Sequence, residues 1–298
     1  MFISIIVTVK NEERHIKHLL DSLVIQEMPF EILIIDSDST DHTPRIVNNY
    51  MKRYDFIRYY NKPGTRGYSR NIGVNLARGE VVAFTDGDCI ANPFWLKKIR
   101  ETIRAGADIV AGKTIQLGYH AFEMLERVEL YYRGFDVTYP SCNLAYKKKV
   151  FIEAGGFDDW FVTAEDIDLN YRAVHLGYKI MANEEAIIYH RARDTFIGFF
   201  EQAFWNGYGR KQLTLKHGSL WKNYKFIDML KMNNSFWKIV RLFFAVMGFL
   251  VCKIEYARCN IYEHYAEERL RMDRSKERIE KRKKKPYVNK GGESNEKF

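Results

Sequence analysis

Val81-Val82-Ala83-Phe84-Thr85-Asp86-Gly87-Asp88 is the stretch on which the fold turns. Its first four residues are apolar without a break, so residues 80–85 read as a strand buried on both faces. An acidic turn follows at once, and Gly87 allows the backbone to double back tightly there. Strands buried on both faces belong to sheets covered by helices on each side. In such sheets ligands bind beyond the carboxyl ends of the strands. Asp86 and Asp88 therefore stand where chemistry is expected.

Working toward the N-terminus, the same alternation of strand and helix recurs. Residues 2–9 form a β-branched run and read as a buried first strand. Residues 12–26 carry Ile16, Leu19, Leu20 and Leu23 at helical spacing. Residues 30–35 are a second apolar strand ending at Asp36. Asp41-His42-Thr43-Pro44 opens a helix, with Asp41 or Thr43 as cap and Pro44 in the first turn. Residues 56–60 give a third strand, and residues 65–77 a helix stopped by Gly79.

Toward the C-terminus, Asn92-Pro93 caps and starts a helix, and residues 108–112 form a fifth strand. Residues 139–146 read as a loop and strand, and residues 148–154 as a short helix ended by Gly155-Gly156. Residues 164–176 form a helix with Glu165 and Asp166 in its first turn. Residues 178–189 read as two short strands followed by His190, and residues 195–217 as an aromatic-rich helix. No internal repeat is present. The expected class is α/β, a mostly parallel sheet with helices on both faces and a C-terminal helical extension.

The 298 residues are 46% hydrophobic and 29% charged, an ordinary globular balance. Residues 271–298 hold eleven Lys and Arg against five Asp and Glu, which accounts for six of the nine net positive charges. This basic tail suits anionic lipid or nucleic acid, and equally a solvated, disordered end. Cys89, Cys142, Cys252 and Cys259 make no CxxC pair, which argues against a zinc knuckle or disulfide framework and for a reducing cytoplasm. The N-terminus lacks the pattern of a signal peptide. Residues 234–256 are different in kind. Their longest uncharged stretch, 242–252, has eleven residues, where a span needs about 20. Lys238, Arg241 and Lys253 flank it, so it spans poorly, lies in the interface or packs on the domain. The expected organisation is a catalytic domain at 1–217, a helical membrane-associating extension at 218–270 and a basic tail at 271–298.

Several clusters have chemical potential. Asp86 and Asp88 can share a hard divalent cation, Mg²⁺ or Mn²⁺, although alone such a triplet is equally an acidic turn. The Asp36-Ser37-Asp38-Ser39-Thr40-Asp41 burst can accept hydrogen bonds from a base or ribose, or simply cap the next helix. Arg66 and Arg70 open a helix in a way that suits phosphate. Glu165 and Asp166 suit the helix dipole and can also act as a general base. His190 follows an apolar strand and is a candidate metal ligand or a structural histidine.

Taken in order, these segments resemble the family 2 glycosyltransferases. The resemblance rests on Ile5-Ile6-Val7-Thr8-Val9-Lys10-Asn11-Glu12 and Glu31-Ile32-Leu33-Ile34-Ile35-Asp36. It continues through Arg70-Asn71-Ile72-Gly73, Phe84-Thr85-Asp86-Gly87-Asp88, Gly155-Gly156-Phe157-Asp158 and Glu165-Asp166-Ile167-Asp168-Leu169 with Arg172. It covers residues 2–210. It implies the GT-A nucleotide-diphospho-sugar fold and inversion at the anomeric carbon. It places Thr8, Asn11 and Glu12 beside the nucleotide, Asp36 near base or ribose, and Arg70 along the nucleotide site. Asp86 is then at the ribose or metal, Asp88 on the metal with His190 completing it, Asp166 the general base and Glu165 beside it. Two departures stand out: Ser37 follows Asp36 where many relatives repeat the aspartate, and Pro140-Ser141-Cys142 replaces a frequent glycine. The implied partners are a UDP- or GDP-type sugar donor, a glycan or lipid-linked acceptor, and a membrane surface at the inner face of the cell membrane. No nucleic acid is expected. The competing readings are a nucleic-acid binder using the basic tail and a non-catalytic sugar binder.

Overall fold

The structure is a computed structural model that describes residues 1–118, 129–191, 195–218 and 236–257. In chain order its strands begin with β1 (Ile3–Val9), β2 (Phe30–Asp36), β3 (Ile57–Asn61), β4 (Val81–Asp86) and β5 (Cys89–Ala91). They continue with β6 (Ile109–Leu117), β7 (Tyr131–Tyr132), β8 (Phe135–Asp136), β9 (Leu144–Lys147) and β10 (Ile180–Arg191). The helices are α1 (Ile16–Leu23), α2 (Thr43–Met51), α3 (Arg66–Leu76), α4 (Trp95–Arg104), α5 (Lys148–Glu153), α6 (Glu165–His175), α7 (Phe196–His217) and α8 (Phe236–Ala257).

Eight strands form one sheet in the order β3-β2-β1-β4-β9-β6-β10-β5. β1 pairs in parallel with β2 and β4, and β2 with β3, while β9 enters antiparallel between β4 and β6. β10 runs parallel to β6. The two-residue side-chain period divides each central strand between two cores. Ile5, Val7 and Ala83 join Leu20, Val47 and Trp95 under α1, α2 and α4. Ile6, Val82 and Phe84 join Val74, Phe151 and Leu169 under α3, α5 and α6. The sheet is thus mostly parallel and covered on both faces, as the unbroken apolar strands require.

Differences from the sequence reading have local causes. α2 starts after His42, whose side chain makes no capping bond; the Asp41 carboxylate accepts from the Thr43 and Glu13 N–H groups, and the Thr43 hydroxyl accepts from the Glu12 N–H at 2.8 Å. α4 begins at Trp95 because Asn92 folds a turn onto the Phe94 N–H first. β6 runs on to Leu117 because β10 is one strand, not two, with a register shift between Asn183 and Ile187. Asn143 fills that irregularity, donating to the Lys113 and Ala186 carbonyls at 2.9 Å. β5 is too short to register as a sequence pattern. The basic tail at 271–298 and most of the connection before α8 lie outside the described residues.

α7 and α8 pair closely. Phe196 stacks on Trp237 at 5.2 Å and Phe200 on Phe244 at 4.6 Å, and the Tyr208 hydroxyl donates to Glu255 at 2.7 Å. These contacts advance together along both chains, so the helices run in the same direction. Glycine makes the approach feasible. A Cβ on Gly207 would lie 1.8 Å from the Ala245 carbonyl oxygen, and one on Gly248 1.9 Å from that of Phe204. α8 therefore packs on the domain through one face. Its other face leaves Ile239, Phe243, Met247, Leu250 and Ile254 exposed. Among the described residues, no helix is long and apolar enough to cross a membrane.

Substituting Gly207 with leucine forces the two backbones apart. The expected result is a loss of about 1–3 kcal/mol, read as a lower urea midpoint, whereas Trp205→Leu on the exposed face leaves the midpoint nearly unchanged.

Candidate active site

The carboxyl ends of β1 and β4 and the starts of α3 and α6 meet at one buried cation. Arg70, 2% exposed, donates from one guanidinium nitrogen to Asp86 Oδ1 and from another to Glu165 Oε1, both at 2.8 Å. Phe157 packs beneath it, with the guanidinium 5.5 Å from the ring centre. The helix carrying Arg70 is fixed by its cap, in which the Thr65 hydroxyl accepts from the Tyr68 N–H. Next to Arg70, Asn71 bonds both the N–H and carbonyl of Phe157, at 2.9 and 2.8 Å. Burial pushes the Asp86 carboxyl upward, but Arg70 and then His190 outweigh it, so its pKa lies below the ordinary value. Glu165 goes the other way: burial and the neighbouring Asp166 raise it despite Arg70. Thr8 also donates to Asp86, at 3.4 Å.

Gly87 turns the chain immediately beyond. A Cβ there would sit 2.8 Å from Glu12 Cγ and 3.0 Å from Val9 Cγ1, so only glycine lets the turn press against β1. The turn delivers Asp88 to His190 on β10, with Asp88 Oδ1 3.4 Å from Nε2. The other ring nitrogen, Nδ1, lies 3.0 Å from Gln116 Oε1, which orients the imidazole. Burial raises the Asp88 pKa, with His190 opposing and Asp86 adding to the shift. One ligand atom each from Asp88, Cys89 and His190 lie within 4.8 Å of one another; the carboxylate and imidazole suit a divalent cation, whereas the hydrogen bond to Cys142 and burial push the Cys89 thiol well above its ordinary range and make it a poor ligand for a hard one. Asp86, which the sequence reading also placed in the metal set, is not in this group; its Oδ1 is held by Arg70 and Thr8.

α6 begins under strain. Ala164 has φ +67°, a left-handed conformation unusual for a residue with a Cβ. The kink sets Glu165 inward on Arg70 and Asp166 on the cavity wall, where Asp166 Oδ2 accepts from the Ser141 N–H at 2.9 Å. One turn on, Asp168 is fully buried and is the anchor for α6. It accepts from Arg172 Nε and Nη2 at 2.8 and 2.7 Å, lies 3.2 Å from Lys216 Nζ and pairs with His217 Nε2 at 2.6 Å. Lys216 reaches Asp158 as well, at 2.5 Å. Burial raises the Asp168 carboxyl, yet Arg172, Lys216 and His217 hold it well below the usual range. His217 is itself lowered by burial, against the pull of Asp168. The end of α7 is thereby tied to the helix that carries Asp166.

The remaining sequence-named residues divide. Thr8, Glu12, Asp86, Asp88, Asp166 and His190 line one cavity of about 1070 Å³. Asp36 does not line it: its carboxylate accepts from the Ser39 N–H and hydroxyl at 2.8 and 2.7 Å and from the Tyr59 hydroxyl at 2.7 Å, while Ser37 takes the wall position. Asn11, at φ +57°, is spent on the same loop, accepting from the Thr40 N–H. Arg70 and Glu165 lie behind the wall rather than on it. Sequence reading missed Cys89, Gln116, Lys216 and His217. Only the first had a local signal, its adjacency to Asp88; the rest act across more than forty residues.

Comparison with known proteins gives a consistent picture. Residues 4–157 match the family model described as glycosyl transferase family 2. Glycosyltransferase AglE of Haloferax volcanii is 28% identical over 64% of this chain and 67% of its own. The glucosyl-dolichyl phosphate glucuronosyltransferase of the same organism is 27% identical over 72% and 78%. Among solved structures, Staphylococcus aureus TarS in complex with UDP-GlcNAc superposes with a TM-score of 0.55 at 19% identity, covering 96% of this chain and 93% of that one. Pyrobaculum calidifontis mannosyltransferase PcManGT with GDP-Man and Mn²⁺ gives 0.58 at 14%, covering 95% and 88%. These likenesses identify the fold as GT-A.

The Asp168 cluster makes an acid-sensitive latch. Asp168 and His217 both bind protons less readily folded than unfolded. The stability they provide is present above their ordinary pKa values and lost as pH falls, below 6.5 for His217 and below 3.8 for Asp168. The urea midpoint is expected to fall between pH 7.5 and 5.5, with a shallower fall in His217→Gln. Equal slopes in the two proteins would show that His217 is not the group responsible.

Proposed function

The chain belongs to glycosyl transferase family 2 and is a glycosyltransferase; from that premise we propose that it moves a sugar from a nucleotide-diphosphate donor, of UDP or GDP type, to a hydroxyl of a lipid-linked or cell-surface glycan with inversion. The observation that carries the reading is that Asp88, His190 and Asp166 line one cavity. Relatives of the same fold hold UDP-GlcNAc, or GDP-Man with Mn²⁺, which supports the donor class and the metal.

Asp88 and His190 would hold Mn²⁺ or Mg²⁺ in this proposal. When bound, the cation offsets charge developing on the departing diphosphate. Thr8, Asn11, Glu12 and Asp36 belong to the nucleotide end, Thr8 and Glu12 on the cavity wall and Asn11 and Asp36 through the loop they shape. Arg70 keeps Asp86 ionised and in position. Asp166 takes the proton of the acceptor hydroxyl as that oxygen bonds to the anomeric carbon and the bond to the diphosphate breaks. One base serves a single displacement, and a single displacement inverts the centre. Glu165, whose carboxylate is engaged by Arg70, positions its neighbour rather than touching the acceptor.

The proposed setting is the inner face of the cell membrane. Supporting this are the apolar row of α8 and the basic residues 271–298, which anionic lipid attracts by about 1 kcal/mol per Lys or Arg near the surface. The catalytic unit is then 1–217, with 218–270 as the membrane-associating extension.

Two outcomes test these assignments. EDTA abolishes transfer and Mn²⁺ or Mg²⁺ restores it, while Asp166→Asn retains nucleotide binding but loses at least about hundredfold in kcat; full activity in EDTA or in the variant refutes the corresponding role. In flotation with phosphatidylglycerol-containing liposomes, the wild type rises with the lipid and the Phe243→Asp, Leu250→Asp double variant stays at the bottom. Equal flotation of both would remove α8 from the membrane contact.

A further inference from the structure

β5 has only three residues, yet its register brings a sulfur to the metal end of the cavity. It runs antiparallel to β10, with Cys89 directly opposite His190 and Ala91 opposite Ile188. Residues opposite one another in an antiparallel pair point to the same face of the sheet, with Cβ atoms about 5 Å apart. The Cys89 thiol and the His190 imidazole are therefore cross-strand neighbours, and Asp88 joins them from the end of the acidic turn. The thiol donates to Asp88 Oδ1 at 3.8 Å, and the same oxygen lies 3.4 Å from His190 Nε2. Gln116 Oε1 can only accept, so in the neutral ring Nδ1 carries the proton and the Nε2 lone pair is left for a metal.

These spacings discriminate between coordination geometries. With bonds of about 2.1 Å to nitrogen and oxygen and about 2.3 Å to sulfur, a tetrahedral ion holds N and O about 3.4 Å apart and S and O about 3.6 Å apart. Octahedral bonds of about 2.1 Å bring neighbouring ligands to about 3.0 Å. The observed 3.4 and 3.8 Å match the wider, tetrahedral set. Thiolate, imidazole and carboxylate together are also the donors of zinc and its thiophilic neighbours, whereas Mg²⁺ and Mn²⁺ take oxygen in preference to sulfur. Asp88 and His190 line the cavity while Cys89, 1% exposed, lies behind them, so the fourth corner falls on the cavity side. As a small filler of the core it shares with Ala91 and Cys142, Cys89 would need no sulfur opposite an imidazole.

We propose that Asp88, Cys89 and His190 form a tetrahedral, three-ligand site for Zn²⁺ or a comparably thiophilic divalent ion, a second coordination mode beside the hard-ion mode that uses Asp88 and His190 alone. The thiol proton passes to solvent as the sulfur binds the metal. A four-coordinate ion has one corner left, whereas two diphosphate oxygens chelating a cation take two. Zinc thus fills the metal end in a form that does not serve the donor, and it inhibits the enzyme. That consequence rests on the transferase reading; the coordination itself does not.

Cobalt(II) reports the coordination without turnover. Tetrahedral Co²⁺ absorbs strongly in the visible, and a thiolate ligand adds a near-ultraviolet charge-transfer band. The reduced full chain is titrated with Co²⁺, Zn²⁺ is then used to displace it, and Mn²⁺ binding is followed by electron paramagnetic resonance. The wild type is expected to show both features, and Zn²⁺ to abolish them. Cys89→Ala loses the thiolate band and binds Zn²⁺ at least about tenfold more weakly. Its Mn²⁺ affinity stays within about twofold, which also shows that the variant is folded. Cys142→Ala, likewise at a buried thiol, keeps the band. UDP binds the Zn²⁺-loaded wild type at least about tenfold more weakly than the Mn²⁺-loaded one. The proposal is overturned if the wild-type spectrum lacks the thiolate band, if Cys142→Ala removes it and Cys89→Ala does not, or if Cys89→Ala weakens Zn²⁺ and Mn²⁺ alike. Equal UDP affinity with either metal overturns the inhibition. Should Cys89→Ala not fold, competition in the wild type decides. A thiolate band displaced by excess Mn²⁺ places both ions at one site, and one that Mn²⁺ leaves untouched overturns the proposal. Failure of Mn²⁺ to bind the wild type at all would instead count against the hard-ion assignment.

Discussion

A buried guanidinium needs anionic partners, because an unpaired charge in the interior costs several kcal/mol. Arg70 meets that need with carboxylates from two distant parts of the chain, Asp86 at the tip of β4 and Glu165 at the start of α6. The pairing therefore fixes a distance between elements that share no backbone neighbour. Asp88 lies two residues beyond one partner and Asp166 one residue beyond the other. The placement of Asp88 and Asp166 on the cavity wall is thus set by a group that does not itself line the cavity. The same cation divides the two carboxyls electrostatically, keeping Asp86 ionised while Glu165, crowded by Asp166, is raised. Asn71, clasping the backbone of Phe157, secures the helix on which the cation depends.

Asp168 extends this frame to the far wall. By gathering Arg172 from its own helix and Lys216 and His217 from the end of α7, it ties the end of α7 to α6. Gln212 adds to the tie, bonding the backbone of Val162 and Trp160 in the loop that enters α6. α7 is therefore tied to the helix that carries Asp166.

Much of this was legible in the sequence where the signal was local. The apolar strands, the glycine-ended helices and the acidic turn at Asp86–Asp88 follow from residues a few positions apart, and the sheet obeyed them. The family motifs added order to clusters that were each ambiguous. What could not be read was pairing across distance. Nothing near Arg70 announces Glu165, ninety-five residues on, and nothing near Asp168 announces His217. Asp36 misled for the opposite reason: its acidic cluster looked like an open binding surface, but Ser39 and Tyr59 consume its carboxylate. Of the two caps the sequence offers beside Pro44, Asp41 accepts from the Thr43 N–H, whereas the Thr43 hydroxyl accepts from the Glu12 N–H.

The C-terminal helix shows why composition could not choose among the sequence readings for it. Eleven uncharged residues suit a buried helix and an interfacial one equally well. The deciding feature is which apolar residues share a face with glycine. Gly248, together with the backbone of Ala245, meets α7 closely enough that no side chain fits between, so that face is committed to protein. Phe244 and Cys252 lie on it, whereas Ile239, Phe243, Met247, Leu250 and Ile254 point away. A helix used only as core would have polar residues there, and a spanning helix would need apolar residues all round with more length. One face against the protein and one apolar face outward is the pattern of a helix that can bury its second face against a partner, protein or lipid.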